Sequence, residues 1–113
     1  MTGRYRPSGY LSAMRILGEL FERVEAETPC GGRAVSFEPL GMVWLALEGR
    51  RRRERSEAEG AVVVEVATAE VRTDPRLVEG RVIRFGGADW TIAQVDVEAE
   101  RPGRSTLQLE RTR

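Results

Sequence analysis

The stretch Met42-Val43-Trp44-Leu45-Ala46-Leu47-Glu48-Gly49 runs into Arg50-Arg51-Arg52-Arg53-Glu54-Arg55 and then, past Gly60, into Ala61-Val62-Val63-Val64-Glu65. Two apolar segments of strand length flank a segment with five arginines. Val43, Leu45 and Leu47 alternate with Trp44, Ala46 and Glu48, so the first segment reads as a strand with apolar groups on both sides, which belongs at the centre of a sheet. Ala61 to Val71 is long and rich in valine, a composition that suits a half-buried pleated surface. Between them Gly49 to Gly60 reads as a projecting loop. Charge held out from a rigid sheet in this way is suited to contact with a partner.

Working outward, Gly18 to Glu27 places Leu20, Val24 and Ala26 on one parity among charged residues and reads as a half-buried strand, although Leu11 to Leu20 can also open as a helix. Gly31-Gly32 supplies a turn and Ala34 to Glu38 a second short strand. Pro39-Leu40-Gly41 breaks that strand, because proline has no amide hydrogen for a ladder. Beyond Val71, Thr73-Asp74-Pro75 ends the valine-rich strand. Arg81 to Phe85 and Asp89 to Val97 flank Gly86-Gly87, a pair suited to a two-residue hairpin turn. Arg101 to Arg104 reverses the chain, and Ser105 to Glu110 is a last strand. The expected fold is mainly β, a small antiparallel barrel or sandwich with one long arginine-rich loop. That loop can close as a short helix, since Arg53 and Glu57, or Arg55 and Glu59, are four apart. Such a helix has no apolar face to dock on the core.

With 113 residues the chain has the size of a single domain, here divided into an N-terminal arm (1–14), a β core (15–112) and the loop (49–60) inside it. All 18 basic residues are arginine and there is no histidine. This composition removes the usual general base and the commonest metal ligand, and no cofactor-binding or metal-ligand pattern is present. Cys30 is the single cysteine, so no internal disulfide is possible, and no base stands ready to activate its thiol. The apolar run from Pro39 to Leu47 is too short to span a bilayer, and no secretion signal is recognisable, which predicts a cytoplasmically made, soluble protein.

Net charge is zero but its distribution is blocky: residues 1–15 carry a net +3, 16–49 a net −4, 50–55 a net +4, 56–79 a net −4 and 80–113 a net +1. Blocks of opposite sign on one small surface suit head-to-tail self-assembly, and equally an ordinary solvated exterior. The arginines also suit phosphate contact, which adds salt-dependent affinity without sequence choice.

The order of residues resembles the bacteriophage head-tail joining family, the head completion, closure or stopper proteins also found in phage-like gene transfer agents. The resemblance lies in Gly31-Gly32 before a short strand and in Leu40-Gly41 leading into Val43-Trp44-Leu45-Ala46-Leu47, with an aromatic before an alanine. It continues in Gly80-Arg81-Val82-Ile83-Arg84-Phe85-Gly86-Gly87 followed by Asp89-Trp90-Thr91-Ile92 and Val95. It covers roughly residues 14 to 112, and the loop is shorter and richer in arginine than the family pattern. The resemblance implies a small β-barrel in a homo-oligomeric ring of six or twelve, set in a virion or phage-like particle. A portal adaptor would meet one face, a tail terminator or tail tube the other, and double-stranded DNA would pass through the channel. Arg50, Arg51, Arg52, Arg53 and Arg55 would then face the lumen, against DNA or a neighbour's acids, and Arg4 and Arg6 would reach an adjacent ring.

Two other classes compete. A free arginine-rich nucleic-acid-binding β-barrel would grip a single strand by charge and by stacking on exposed aromatics. The chain has only seven aromatics, and Trp44 and Trp90 read as core. An enzyme would need a reacting pair such as Asp96 and Glu98, two apart on a strand, but acids at that spacing are usually solvated.

Overall fold

The computed structural model describes residues 14–57 and 60–112. Six strands follow one another: β1 (Met14–Glu27), β2 (Arg33–Glu57), β3 (Gly60–Arg72), β4 (Val82–Phe85), β5 (Ala88–Val97) and β6 (Arg104–Thr112). All neighbours are antiparallel, in the order β1-β2-β3-β6-β5-β4, and the sheet closes on itself where β4 meets β1. The protein is all-β, as expected. The helix allowed for at Gly49–Gly60 is not there, because Arg50 to Glu57 pair in register with Gly60 to Ala67. The loop reading is corrected in the same way: both flanks of the arginine run are ladder, and the hairpin is longer than turn chemistry alone suggested. The start of β1 is likewise strand from Met14 rather than helix.

β2 merges the two strands expected at Ala34–Glu38 and Val43–Glu48 into one of 25 residues. The Pro39-Leu40-Gly41 break is a β-bulge: Gly41 pairs with Leu20 and Pro39 with Phe21, so Leu40 is the extra residue. Proline is tolerated here because it sits beside a bulge where β2 has β1 alone as its neighbour, pairing with β3 beginning at Ala46. Near the bulge, β2 has run past the end of its pairing with β3, which begins at Ala46. Arg76 fills the gap. Its Nη1 donates to the Leu40 carbonyl at 2.9 Å and its Nη2 to the Met42 carbonyl at 3.2 Å, while Asp74 holds the guanidinium through both carboxylate oxygens. That hydrogen bonding holds the Asp74 carboxyl below its ordinary value. Gly41, at φ 115°, permits the arrangement, since a Cβ there would sit 2.7 Å from Arg76 Nη1.

The interior is filled by one residue in two from each strand. Leu20, Leu45, Ala67, Ala69, Ile83, Trp90, Ile92, Leu107 and Leu109 are essentially sealed from solvent. The Gly86-Gly87 turn forms as expected, with φ of 61° and 76°, and joins the β4–β5 hairpin. Only three residue pairs, Glu19 with Arg84, Leu20 with Ile83 and Phe21 with Val82, close the ring. On the outside of that short ladder the Arg84 guanidinium lies 4.6 Å from the centre of the Phe21 ring while its Nε donates to Asp89 at 2.7 Å.

Gly41→Ala is expected to lower stability by roughly 1–3 kcal/mol, the usual cost of forcing a side chain into such a backbone conformation. Thermal unfolding followed by circular dichroism will measure it. Because Gly41 and Arg76 share one contact, Arg76→Met should cost less in the Gly41→Ala background than alone. Strict additivity would show that Arg76 does not brace the bulge.

Candidate partner interface

The arginines owe their orientation to a second bulge. Leu47 pairs with Ala69 and Gly49 with Thr68, so Glu48 is an extra residue and the alternation of β2 shifts phase there. Before the shift Val43, Leu45 and Leu47 face the interior; after it Arg50 and Arg52 take that parity, opposite Ala67 and Glu65. Arg51 and Arg53 take the outer parity, opposite Val66 and Val64. Arg55 pairs with Val62 and continues the register of Arg51 and Arg53.

Arg50 is occupied inside the molecule. Its Nη2 donates to Glu65 Oε2 at 2.9 Å, and Arg111 Nε donates to Glu65 Oε1 at 2.9 Å, so one carboxylate bridges two guanidinium groups. Both cations also lie over the Trp90 ring, at 5.4 and 5.3 Å from its centre, and Trp90 stacks on Phe85 with planes 8° apart. Glu65 is 6% exposed. The hydrogen bond from Arg111, followed by that from Arg50, holds its carboxyl below the ordinary glutamate value against the opposing effect of burial.

Arg53 donates to Glu110 at 3.0 Å. Since β3 lies between β2 and β6, this pair spans the outer side of β3 at Val64 and Val66, both buried. Arg51 and Arg52 are exposed and, among the described residues, neither enters an ion pair. The five arginines therefore do not act as one block of free charge: Arg50 and Arg53 are held by ion pairs within the fold, and Arg51, of outer parity, and Arg52, of inner parity, are exposed outside the ion pairs among the described residues. Arg4 and Arg6 lie outside the described residues.

Trp44 requires a correction. It reads as core in the sequence, yet it is 57% exposed, on the outer side of β2 directly opposite Leu17, with the Arg15 guanidinium 6.0 Å from its ring centre. Trp90, by contrast, is buried as expected. The apolar outer side around Trp44 is a feature that sequence reasoning missed. The signal was available in a strand apolar on both faces within a chain too small to cover both. Asp96 and Glu98 do not form a reacting pair: Asp96 accepts from the Gln94 amide, and Glu98 from Arg101 and the Thr106 hydroxyl. Cys30 sits exposed in the β1–β2 turn, as expected.

No protein-family model matches this chain, and no curated protein matches it. Among solved structures, it is similar to a chain of the virion of a native gene transfer agent (GTA) particle, with a TM-score of 0.67 and 20% sequence identity. The match covers 86% of this chain and 93% of that chain. At this identity the likeness establishes a shared fold over nearly the whole of both chains.

The Glu65 bridge has a pH signature. Because its folded value is lowered, the stability it contributes is complete above the ordinary glutamate value of 4.5 and is lost as pH falls through the lower, folded value. Glu65→Gln should lower the melting temperature near neutral pH and flatten its decline below about pH 4.5. Glu25 and Asp74, lowered in the same direction, keep part of that decline. An acid limb as steep as that of the unmodified chain would rule the bridge out.

Proposed function

We propose that this chain is a structural component of a phage-like virion, placed at the junction between a DNA-filled head and its tail. The observation that carries this reading is the end-to-end likeness to a chain of a gene transfer agent virion, a TM-score of 0.67 over 93% of that chain. The resemblance of the sequence to the head-tail joining family points to the same place by an independent route. In this reading the subunits form a ring, with a portal adaptor on one face and a tail terminator or tail tube on the other, and the arginine hairpin lies toward the DNA channel.

The hairpin suits that task. Among the described residues, pairing with β6 runs to Thr112 and Val64, and Glu54–Glu57 and Gly60–Val63 extend beyond it as a two-stranded hairpin. Four residues per strand give a reach of roughly 13 Å at the usual rise. A two-stranded ribbon is marginal by itself, so the arm gains order from what it touches. On its outer register Arg51 is exposed and suited to phosphates, where Coulomb attraction needs no base-specific geometry, and Arg53 would exchange Glu110 for them. The competing reading, a free barrel gripping a single strand, needs aromatics beside the arginines. Trp44 and Phe37 instead lie on the β1–β2 ladder.

Deleting the protein from the particle-producing cell should leave filled or emptied heads without tails, counted by electron microscopy. Tailed particles at normal frequency would refute the joining role. Arg51→Gln/Arg53→Gln/Arg55→Gln, which spares Arg50 and its bridge, should give tailed particles that lose most of their nuclease-protected DNA. Full retention would remove the arm from the gate.

A further inference from the structure

At the end of the barrel away from the arm, two arginines face each other. β3 starts at the arm with Gly60 and finishes at Arg72, whose partner across the last rung of the β3–β6 ladder is Arg104. Both are exposed, and among the described residues neither enters an ion pair. The nearby acids on this side of the sheet are engaged by a third arginine. Arg101 pairs with Glu70, and its Nε donates to Glu98 at 2.9 Å, while Glu98 also accepts from the Thr106 hydroxyl at 2.9 Å. Like charges directly across a ladder lower stability. An anion placed on the Arg72–Arg104 rung would relieve a repulsion that the chain itself leaves in place.

The same rung borders an apolar cleft of about 300 Å³. Thr73 and Ser105, the residues next to Arg72 and Arg104, line it together with Leu77, Val78, Val95 and Val97. The Thr73 and Ser105 hydroxyls satisfy each other at 2.8 Å, and the Asp74 carboxylate, also at the cleft, is turned to Arg76. What remains open is hydrocarbon: Val97 is 67% exposed and Val78 43%. By register the two arginines have outer parity and Ser105 inner parity, so cations and cleft lie on opposite faces of the sheet. The β3–β6 pairing stops at this rung, and an extended chain crossing the end of the ladder meets both.

We propose that this end of the barrel docks an extended segment of another protein, with an apolar side chain in the cleft and, next to it, a carboxylate between Arg72 and Arg104. The surrounding charges select that occupant over a nucleic acid. Glu79 and Glu98 directly follow Val78 and Val97, and Glu100 stands in the β5–β6 connection, so a phosphate backbone passing the cleft would be repelled. A single carboxylate on the rung avoids these acids, and charge-assisted hydrogen bonds from two guanidinium groups fix its place. An apolar cavity with a small number of polar groups that orient the ligand is the usual make-up of such a site. The surface lies at the other end of β3 from the arginine arm, so it is separate from any DNA contact and does not depend on the virion reading.

The test is a nuclear magnetic resonance titration of the full chain with three blocked dipeptides: acetyl-leucyl-aspartyl amide, its asparaginyl counterpart and acetyl-glycyl-aspartyl amide. The first should move the backbone signals of Val97 and Ser105 and the Nε–H signals of Arg72 and Arg104. It should bind more tightly than the asparaginyl compound by roughly two- to fivefold, the worth of an exposed ion pair. Arg72→Gln/Arg104→Gln should abolish the preference for aspartate and keep that for leucine over glycine; Val97→Thr should weaken the second preference and keep the first. The double variant removes a repulsion, so its melting temperature should not fall. Absence of any shift, equal binding of the aspartyl and asparaginyl compounds, an aspartate preference that survives the double variant, or a stronger response of the same signals to a duplex oligonucleotide would each overturn the proposal. Shifts of these signals with protein concentration alone would make a second copy the occupant and overturn it equally.

Discussion

β2 has to serve two ladders in succession, and the rest of the molecule is arranged around that requirement. It pairs with β1 from Arg33 to Leu47 and with β3 from Ala46 to Glu57, so only Ala46 and Leu47 have strand partners on both sides. A straight strand could not pass from one neighbour to the other and still close a six-stranded ring, because a pleated ribbon keeps a fixed alternation and a nearly fixed direction. Each of the two bulges inserts one residue and bends the strand. The first, at Leu40, comes where β3 has fallen away and is braced by Arg76. The second, at Glu48, comes where β1 ends and turns the arginine run over by half a period. Without it Arg51 and Arg53 would take the inner parity that Arg50 and Arg52 now have.

The consequences of that half period are electrostatic. Glu65, buried at an inner position of β3, needs a counter-charge, since an isolated buried ion is strongly disfavoured. Arg50 and Arg111 supply it, and the carboxylate is stable as an anion because two guanidinium groups share its oxygens. The Trp90 ring adds a second favourable surface for both cations through its quadrupole. Its indole nitrogen has no hydrogen-bond partner among the described residues, so the ring is held by stacking on Phe85 and by the guanidinium contacts. The bridge joins β2, β3 and β6 at one point, while the closing ladder between β1 and β4 has only three residue pairs. A small sheet with so short a seam gains from a polar tie that spans three other strands.

Much of this was legible in the residues and some of it was not. The valine-rich β3, the Gly86-Gly87 hairpin and the closing strand follow from period-two alternation and turn chemistry, which are local properties. The continuity of β2 was not legible, because Pro39 and Gly41 carry the same local signal whether they end a strand or form a bulge within it. Only Arg76, 35 residues beyond Gly41, decides between the two. The arginine run was misread as a loop for a similar reason. Charge argues for exposure, but exposure is compatible with an edge ladder when the opposite strand is as strongly β-forming as Val62-Val63-Val64. Trp44 was misplaced because an apolar residue on a strand is normally core. Which of two apolar faces a small sheet leaves uncovered cannot be seen in one chain's periodicity.

The arm also constrains how copies can approach each other. Beyond Leu47 the side of β2 away from β3 has no strand beside it among the described residues, and such an edge invites pairing with its own kind. Arg50 to Arg53 on that edge work against the pairing, because two copies laid edge to edge would oppose arginine with arginine, and like charges directly across a ladder repel. Association through the arm is then favourable only toward a surface of different character, acidic or apolar or a polyanion. A symmetric pair of arms is disfavoured by these residues. An interface with two unlike sides leads to a ring when the rotation closes and to a filament when it does not. The net charge of zero thus conceals a surface on which charges of opposite sign are segregated into blocks.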